Sequence, residues 1–404
     1  MQIRPILAAL RRHKAGTILI ALQIALTLAI VCNALFIVHA RIERANRASG
    51  LDERNLVAVQ NLYVGNIEQF IPLIRTDLQA IRAMPGVESA YATNTYPLRR
   101  GGWSTMVQRT SDSQKNGVQT ALYFGDEHAL KTLGVKLVAG RNFTPGEIGT
   151  FERNQDPAPP QVIISQALAK KLFPDGNALG KPVYFLKGKP STIIGIIEKL
   201  TVPWVDSSFF DEVTLMPMTF NNSYQTFLVR TKPGQQDNVY RSIANTLYGV
   251  NRMRVLPEKY GVQTFDMVRR RAYESDRGMA TMMGIVSGVL LLVTAAGIVG
   301  LSSFWVGQRR KQIGVRRALG AKRGDILSYF LTENFLIAAA GVVLGVGLAM
   351  GMNQWMLVQF EMERLSVTYV IVGVMILIGL GQLAVLAPAL KASRVSPVEA
   401  TRSV

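Results

Sequence analysis

Hydrophobic and polar positions alternate along this chain in two different regimes. Four uncharged, apolar stretches run from Ala15 to Ala40, Met279 to Val306, Asn334 to Phe360 and Leu365 to Leu390. Each exceeds the roughly 20 residues that a helix needs to cross about 30 Å of hydrocarbon, and a buried helix of a soluble protein rarely stays free of charge for so long. The pattern predicts spans over 15–40, 279–306, 330–357 and 366–390. Between them it leaves short segments at 1–14, 307–329, 358–365 and 391–404, and one large insertion at 41–278. Basic residues ahead of the first span and Val38-His39-Ala40 at its end imitate a cleavable signal peptide. That apolar run is longer than the usual core of about 7–15 residues, so the span is expected to stay as an anchor.

Shorter periods govern the insertion. Leu56 to Tyr63 reads as a strand and Ile67 to Met84 as an amphipathic helix, with Phe70, Ile74, Leu78 and Ile81 on one face and Pro85-Gly86 as its stop. Val87 to Thr95 alternates like a strand. β-like runs recur at Val118 to Phe124, Val135 to Val138, Val162 to Ser165, Val183 to Leu186, Thr192 to Ile197, Thr214 to Pro217 and Phe227 to Thr231, punctuated by Gly and Pro. Asp156-Pro157-Ala158-Pro159-Pro160 marks an exposed loop, and Val239 to Leu247 is helical. Arg41 to Leu56 carries apolar residues at helical spacing, as a projecting helix would, the alternative being a solvated linker. Gly261 to Gly278 is expected to carry a polar, basic helix directly into the second span. The fold class is therefore a four-helix transmembrane bundle with a large mixed α+β domain inserted between the first and second spans.

Charge sets the orientation. Arg4, Arg11, Arg12 and Lys14 precede the first span, seven basic residues from Arg309 to Arg323 lie between spans two and three, and Lys391, Arg394 and Arg402 follow span four. The loop between spans three and four holds Glu361, Glu363 and Arg364. The positive-inside rule then places both termini in the cytoplasm and 41–278 outside. The formal charge of +18 is concentrated on the cytoplasmic face, where topology and anionic lipid headgroups account for it without a nucleic acid partner. Cys32, the single cysteine, falls inside the first span, so the insertion needs an ordinary packed core in place of disulfides.

Catalytic chemistry finds little support. The nearest approach to a phosphate-cradling loop, Gly176 to Gly180 with Lys181, fails on spacing and has Pro182 where a magnesium-binding hydroxyl belongs. His13, His39 and His128 are far apart and in different compartments, which gives no metal-ligand spacing. No nucleophile elbow or Cys-His pair is present. Within the spans, Gly284 and Gly288, Gly341 and Gly345, and Gly347 and Gly351 follow small-xxx-small spacing, which allows close helix approach either within the chain or to a second copy. No ionisable residue sits in the middle of a span, so a proton relay or ion pathway has no sequence support and an external energy source is favoured.

The segment Gln308-Arg309-Arg310-Lys311-Gln312-Ile313-Gly314-Val315-Arg316-Arg317-Ala318-Leu319-Gly320-Ala321 resembles the signature that follows the second span in MacB-type and FtsX-like ABC permeases. Asp325-Ile326, Glu333, the Gly341 and Gly345 pair, and a tail running from Pro388-Ala389 to Pro397-Val398-Glu399-Ala400 reinforce it. In the insertion, Met84-Pro85-Gly86-Val87, Gly140-Arg141-Asn142-Phe143, Ile164-Ser165, Leu172-Phe173-Pro174, Gly176-Asn177, Gly180-Lys181 and Ile194-Gly195-Ile196 stand in the family's order. The resemblance implies a periplasmic domain of two α+β lobes in a bacterial inner-membrane protein. It further implies a second permease copy, and a separate cytoplasmic ABC ATPase dimer that binds ATP and Mg, with no cofactor in this chain. A periplasmic adaptor and an outer-membrane channel are further partners of such systems. Residues 308–321 with Asp325 would be gripped by the ATPase, with Ile313, Ala318, Leu319 and Ile326 entering a groove on it, and spans two and one would carry the motion outward to export a drug or peptide. Activation of a cell-wall hydrolase and release of lipoproteins are the alternatives. Gln308 and Gln312 stand where such permeases commonly carry glutamates, which points to a non-identical permease partner.

Overall fold

The structure is a computed structural model that describes residues 14–65, 69–111, 117–152, 158–185, 189–360 and 364–395. The basic residues at 4, 11, 12 and 402, the acidic pair at 361 and 363, Ile67, Leu186, Asp156-Pro157 and the tail motif from 397 to 400 lie outside the described residues. Contacts divide the chain into a unit formed by Met1–Ala45 with Ser275–Val404 and a second formed by Asn46–Glu274.

In chain order, helix α1 (Lys14–Ala45) is followed by β1 (Leu56–Tyr63), α2 (Ile71–Ala83), β2 (Val87–Thr93), β3 (Trp103–Gln108), β4 (Val118–Gly125), α3 (Ala129–Leu133), β5 (Leu137–Gly140), β6 (Gly149–Phe151), β7 (Gln161–Ser165) and α4 (Gln166–Leu172). Next come β8 (Pro182–Phe185), β9 (Pro190–Ile197), β10 (Val213–Phe220), β11 (Tyr224–Thr231), α5 (Gln236–Val250), β12 (Arg254–Val255), β13 (Val262–Thr264) and α6 (Phe265–Ala272). The chain continues through α7 (Glu274–Gln308), α8 (Arg310–Ala318), α9 (Arg323–Phe360) and α10 (Val367–Ser393).

The unit from Asn46 to Glu274 is built on two sheets. The first has the order β12-β1-β11-β2, with β13 also paired to β1. Strand alternation turns Val57, Val59, Phe227 and Val229 to one face, where Ile74, Leu78 and Ile81 of α2 and Val239, Ile243 and Leu247 of α5 cover them. In the second sheet the path β4-β3-β8-β9-β7-β10 closes on itself because β10 also pairs with β4; β5 and β6 add to its rim. Closure removes the exposed edges of an open sheet. Trp103, Phe124, Phe151 and Phe220 form an aromatic cluster there, with Trp103 centred 5.5 Å from Phe124 and 5.1 Å from Phe220. This is a mixed α+β domain with two lobes between the first two long helices.

Two helical expectations change. The helix expected from Ile67 begins at Ile71, with Pro72 in its first turn, where the missing N–H costs no hydrogen bond. The continuous helix expected over Gly261 to Gly278 is interrupted. Val262–Thr264 pairs with β1, the Thr264 hydroxyl caps α6, and Tyr273 leaves helical geometry before α7 starts. Likewise the helix that begins in the first span ends at Ala45, well short of Leu56.

Among the described residues, the other unit contains four helices long and apolar enough to cross a membrane: α1, α7, α9 and α10. Helix α1 is the most enclosed, with 61% of its apolar stretch buried, against 11% in α7. Ile20, Ile24, Ile298, Trp305, Ile337 and Ala389 share one core across these helices. Polar groups join it: the buried Thr27 and Thr294 hydroxyls lie 2.8 Å apart, and the half-buried Gln23 amide donates to the Val293 carbonyl at 3.2 Å.

Candidate coupling site

The link between α7 and α9 is a short helix, α8, bounded by a break on one side and a glycine stop on the other. The helical path breaks at Arg309, which has φ −97° and ψ 7°, and resumes as α8. At the far end Gly320 adopts φ +96°, a region L-residues avoid. Its N–H donates to the Arg317 carbonyl at 3.1 Å and that of Ala321 to the Arg316 carbonyl at 3.1 Å, the paired bonds of a Schellman stop. Asp325 then opens α9 by accepting the Lys322 N–H at 2.9 Å, which satisfies one of the orphan donors of the first turn. The Ala-Leu-Gly-Ala and Asp-Ile parts of the signature are thus the punctuation of a helix, turn and helix.

Three arginines have distinct surroundings. Arg309 is buried, and its Nη1 lies 3.0 and 2.9 Å from the two carboxylate oxygens of Glu333 on α9, which is itself 3% exposed. Arg316 stacks 5.1 Å above the Tyr329 ring. Arg317 donates through Nη1 to the Ser393 carbonyl, at the end of α10, at 2.6 Å. A small cleft between α8 and α9 is lined by Arg309, Gln312, Ile313, Arg316, Tyr329 and Phe330.

Of the residues expected at the ATPase, Gln308, Gln312, Arg316, Ala318, Leu319, Gly320 and Asp325 are exposed, and Arg317 and Ala321 are half-buried. Ile313, Gly314 and Arg309 are buried. Ile313 and Ile326 are buried within this chain, where both belong to the core shared with Phe330, Ala389 and Ala392. Ile313 stands on α8 and Ile326 on α9, on either side of the Gly320 turn, and both turn inward. Leu319, 84% exposed, and Val315, 53% exposed, form the outward apolar ridge instead. Glu333, Tyr329 and Ser393 hold this segment, and sequence reasoning did not place them in the site. A carboxylate at the mouth of an apolar stretch was the available signal for Glu333.

The glycines of the spans divide. A Cβ on Gly341 would lie 2.7 Å from the Ala21 carbonyl oxygen, and one on Gly345 2.9 Å from that of Ala25, so α1 and α9 touch backbone to backbone there. Around Gly284, Gly288, Gly347 and Gly351 a Cβ would meet nothing within 4 Å. Spacing alone did not reveal Gly16 against Trp305, Gly297 against Gln23 or Gly373 against Cys32, each a single close approach without a paired small residue.

Comparison with known proteins joins these features. Residues 19–246 match the MacB-like periplasmic core domain, and residues 284–397 match the FtsX-like permease C-terminal domain. The ABC transporter permease YknZ of Bacillus subtilis is 24% identical over 81% of this chain and 78% of its own length. The macrolide export ATP-binding/permease protein MacB of Neisseria gonorrhoeae is 27% identical over 78% of this chain, which spans about half, 47%, of that relative. The periplasmic region of MacB from Actinobacillus actinomycetemcomitans matches in structure at 14% identity, with a TM-score of 0.35, over 57% of this chain and 97% of that one. With its α+β domain set between the first two of four apolar helices, and a core-domain match over more than half its length, the chain belongs to the MacB and FtsX-like family of ABC transporter permeases.

Proposed function

We propose that this permease couples ATP hydrolysis by a separate cytoplasmic ABC ATPase dimer, which binds ATP and magnesium, to movement of its periplasmic domain. Both termini and α8 face the cytoplasm of an inner-membrane protein, and cargo is expelled from the periplasm without being threaded through the bundle. The observation that carries the reading is the outward ridge of Val315, Ala318 and Leu319, set among basic residues on a short helix whose other face is locked into the core. Among the described residues a leucine beside a helix stop is left 84% exposed, and such ridges fit apolar grooves on partner proteins. A second permease copy, identical or not, completes the assembly. The Neisseria relative is named for macrolide export, which supports efflux as the class of work; the proposed cargo is a drug or peptide.

The test is Leu319→Asp in the full-length protein, alone and with Val315→Asp. Both side chains are exposed, so the fold is expected to survive. Co-purification of the ATPase in mild detergent should fall at least tenfold, together with the permease-dependent rise in ATP turnover. Unchanged binding and turnover in the double variant would exclude this ridge as the ATPase contact.

A further inference from the structure

We infer that Arg309 and Glu333 form the joint through which α8 drives α9, making both of them positioning residues for coupling. This rests on the coupling reading above and changes the route that the sequence implied, in which the second and first spans carry the motion. Three observations converge on it. First, the covalent route is weak: the helical path breaks at Arg309, and α7 is the least enclosed of the four long helices, with 11% of its apolar stretch buried. Second, the lateral route is strong. The Arg309 and Glu333 side chains are 11% and 4% exposed, and one guanidinium nitrogen reaches both carboxylate oxygens. A pair so desolvated resists separation, because pulling it apart leaves two buried charges uncompensated. Third, the handle has further fastenings on the same side. Ile313 packs with Ile326 and Phe330 of α9 and with Ala389 and Ala392 of α10, and Arg317 holds the final turn of α10 through the Ser393 carbonyl.

A push on the exposed ridge of α8 is therefore delivered to the cytoplasmic ends of α9 and α10. From α9 it reaches α1, because Gly341 and Gly345 bring the α9 and α1 backbones into contact. Helix α1 leads into the periplasmic domain, so the load path is α8, α9 and α1, with α7 following. Glu333 does not belong to the exposed ridge and is predicted to act without touching the ATPase.

The experiment uses full-length permease purified with the ABC ATPase that accompanies the wild-type chain, and measures ATP turnover per bound ATPase. In Glu333→Gln, bound ATPase should stay within twofold of wild type while the permease-dependent turnover drops at least fivefold. The reversed pair, Arg309→Glu with Glu333→Arg, should recover at least half of it. A purely structural role would lower folded permease and bound ATPase together and leave turnover per bound ATPase unchanged, which overturns the inference. Failure of the reversed pair to recover turnover, with the protein folded, overturns it too. Should Glu333→Gln not yield folded protein, Arg309→Lys, which keeps the charge but shifts the single donor nitrogen shared by Glu333 and the Tyr329 hydroxyl, should cut turnover per bound ATPase at least twofold, and unchanged turnover there overturns the inference. If no ATPase accompanies the wild-type chain, the coupling reading falls and this inference with it; bound ATPase with normal turnover in Glu333→Gln removes the inference alone.

Discussion

Asp77 and Arg254 are 177 residues apart in sequence, yet each has a side chain almost wholly withdrawn from solvent, and they meet through hydrogen bonds of 2.7 and 2.9 Å. The Tyr63 hydroxyl donates to Asp77 at 2.5 Å, and burial, with the neighbouring carboxylate, pushes its pKa up, so it remains a donor throughout the physiological range. Truncating one partner strands the other's charge. Asp77→Ala should cost the first lobe about 3–5 kcal/mol, read from amide exchange of β1 and β11 in the full-length protein, whereas Asp77→Leu with Arg254→Met should cost much less. A different behaviour is expected at Glu147. Hydrogen bonds from Arg141 hold its pKa down to about 2, from an ordinary 4.5. Because the folded value is the lower one, this pair's contribution is present above pH 4.5 and is lost as pH falls from there toward 2. NMR titration of labelled glutamate should find the midpoint near 2, and Arg141→Gln should return it toward 4.5. The Asp77 and Arg254 pair could not be read from the sequence, because partners 177 residues apart carry no local periodicity; Arg141 and Glu147 are only six residues apart, but they flank a turn that no helical or strand period describes.

Elements were more legible than their partners. Leu56 to Tyr63 is a strand over the residues where its β-branched and alternating pattern runs, and the long apolar stretches became helices because nothing but internal backbone bonding suits them. Strand Trp103–Gln108 was missed, since its burial alternates weakly and its apolar content is low. The coupling segment shows both outcomes at once. Its pattern marks Ile313 on α8 and Ile326 on α9 as apolar contact positions, but amphipathicity states only that a face is buried, not whether the chain or a partner buries it. The turn chemistry, by contrast, is local and can be tested locally. Gly320→Ala forces a side chain into left-handed backbone and should cost the α8 stop about 1–2 kcal/mol. Asp325→Ala removes the acceptor for the Lys322 N–H and should cost about 1 kcal/mol. In each variant exchange should quicken at amides 320–325 while those of β1 stay protected.

At the scale of the whole membrane unit, the same small-residue spacing serves two environments that the sequence presents identically. Hydrocarbon supplies no hydrophobic drive between helices, so close approach depends on removing side chains, and Gly341 and Gly345 do this where α9 crosses α1. Leucine at Gly345 would have to displace the Ala25 backbone, since even a methyl group would stand 2.9 Å from its carbonyl oxygen. Backbone cannot swing aside as a flexible side chain can, so Gly345→Leu should destabilise the bundle by about 1–3 kcal/mol or more and lower its melting temperature in detergent. Leucine at Gly284 or Gly351 meets open space within the chain, and melting of the isolated permease should not change. If these glycines face a second permease copy, the cost should appear only in association: cross-linked dimer would fall at least threefold for Gly284→Leu or Gly351→Leu while monomer melting holds. Dimer yield equal to wild type in both would assign that face to lipid, and the load path through α9 and α1 would then operate within each copy without help from those two glycines.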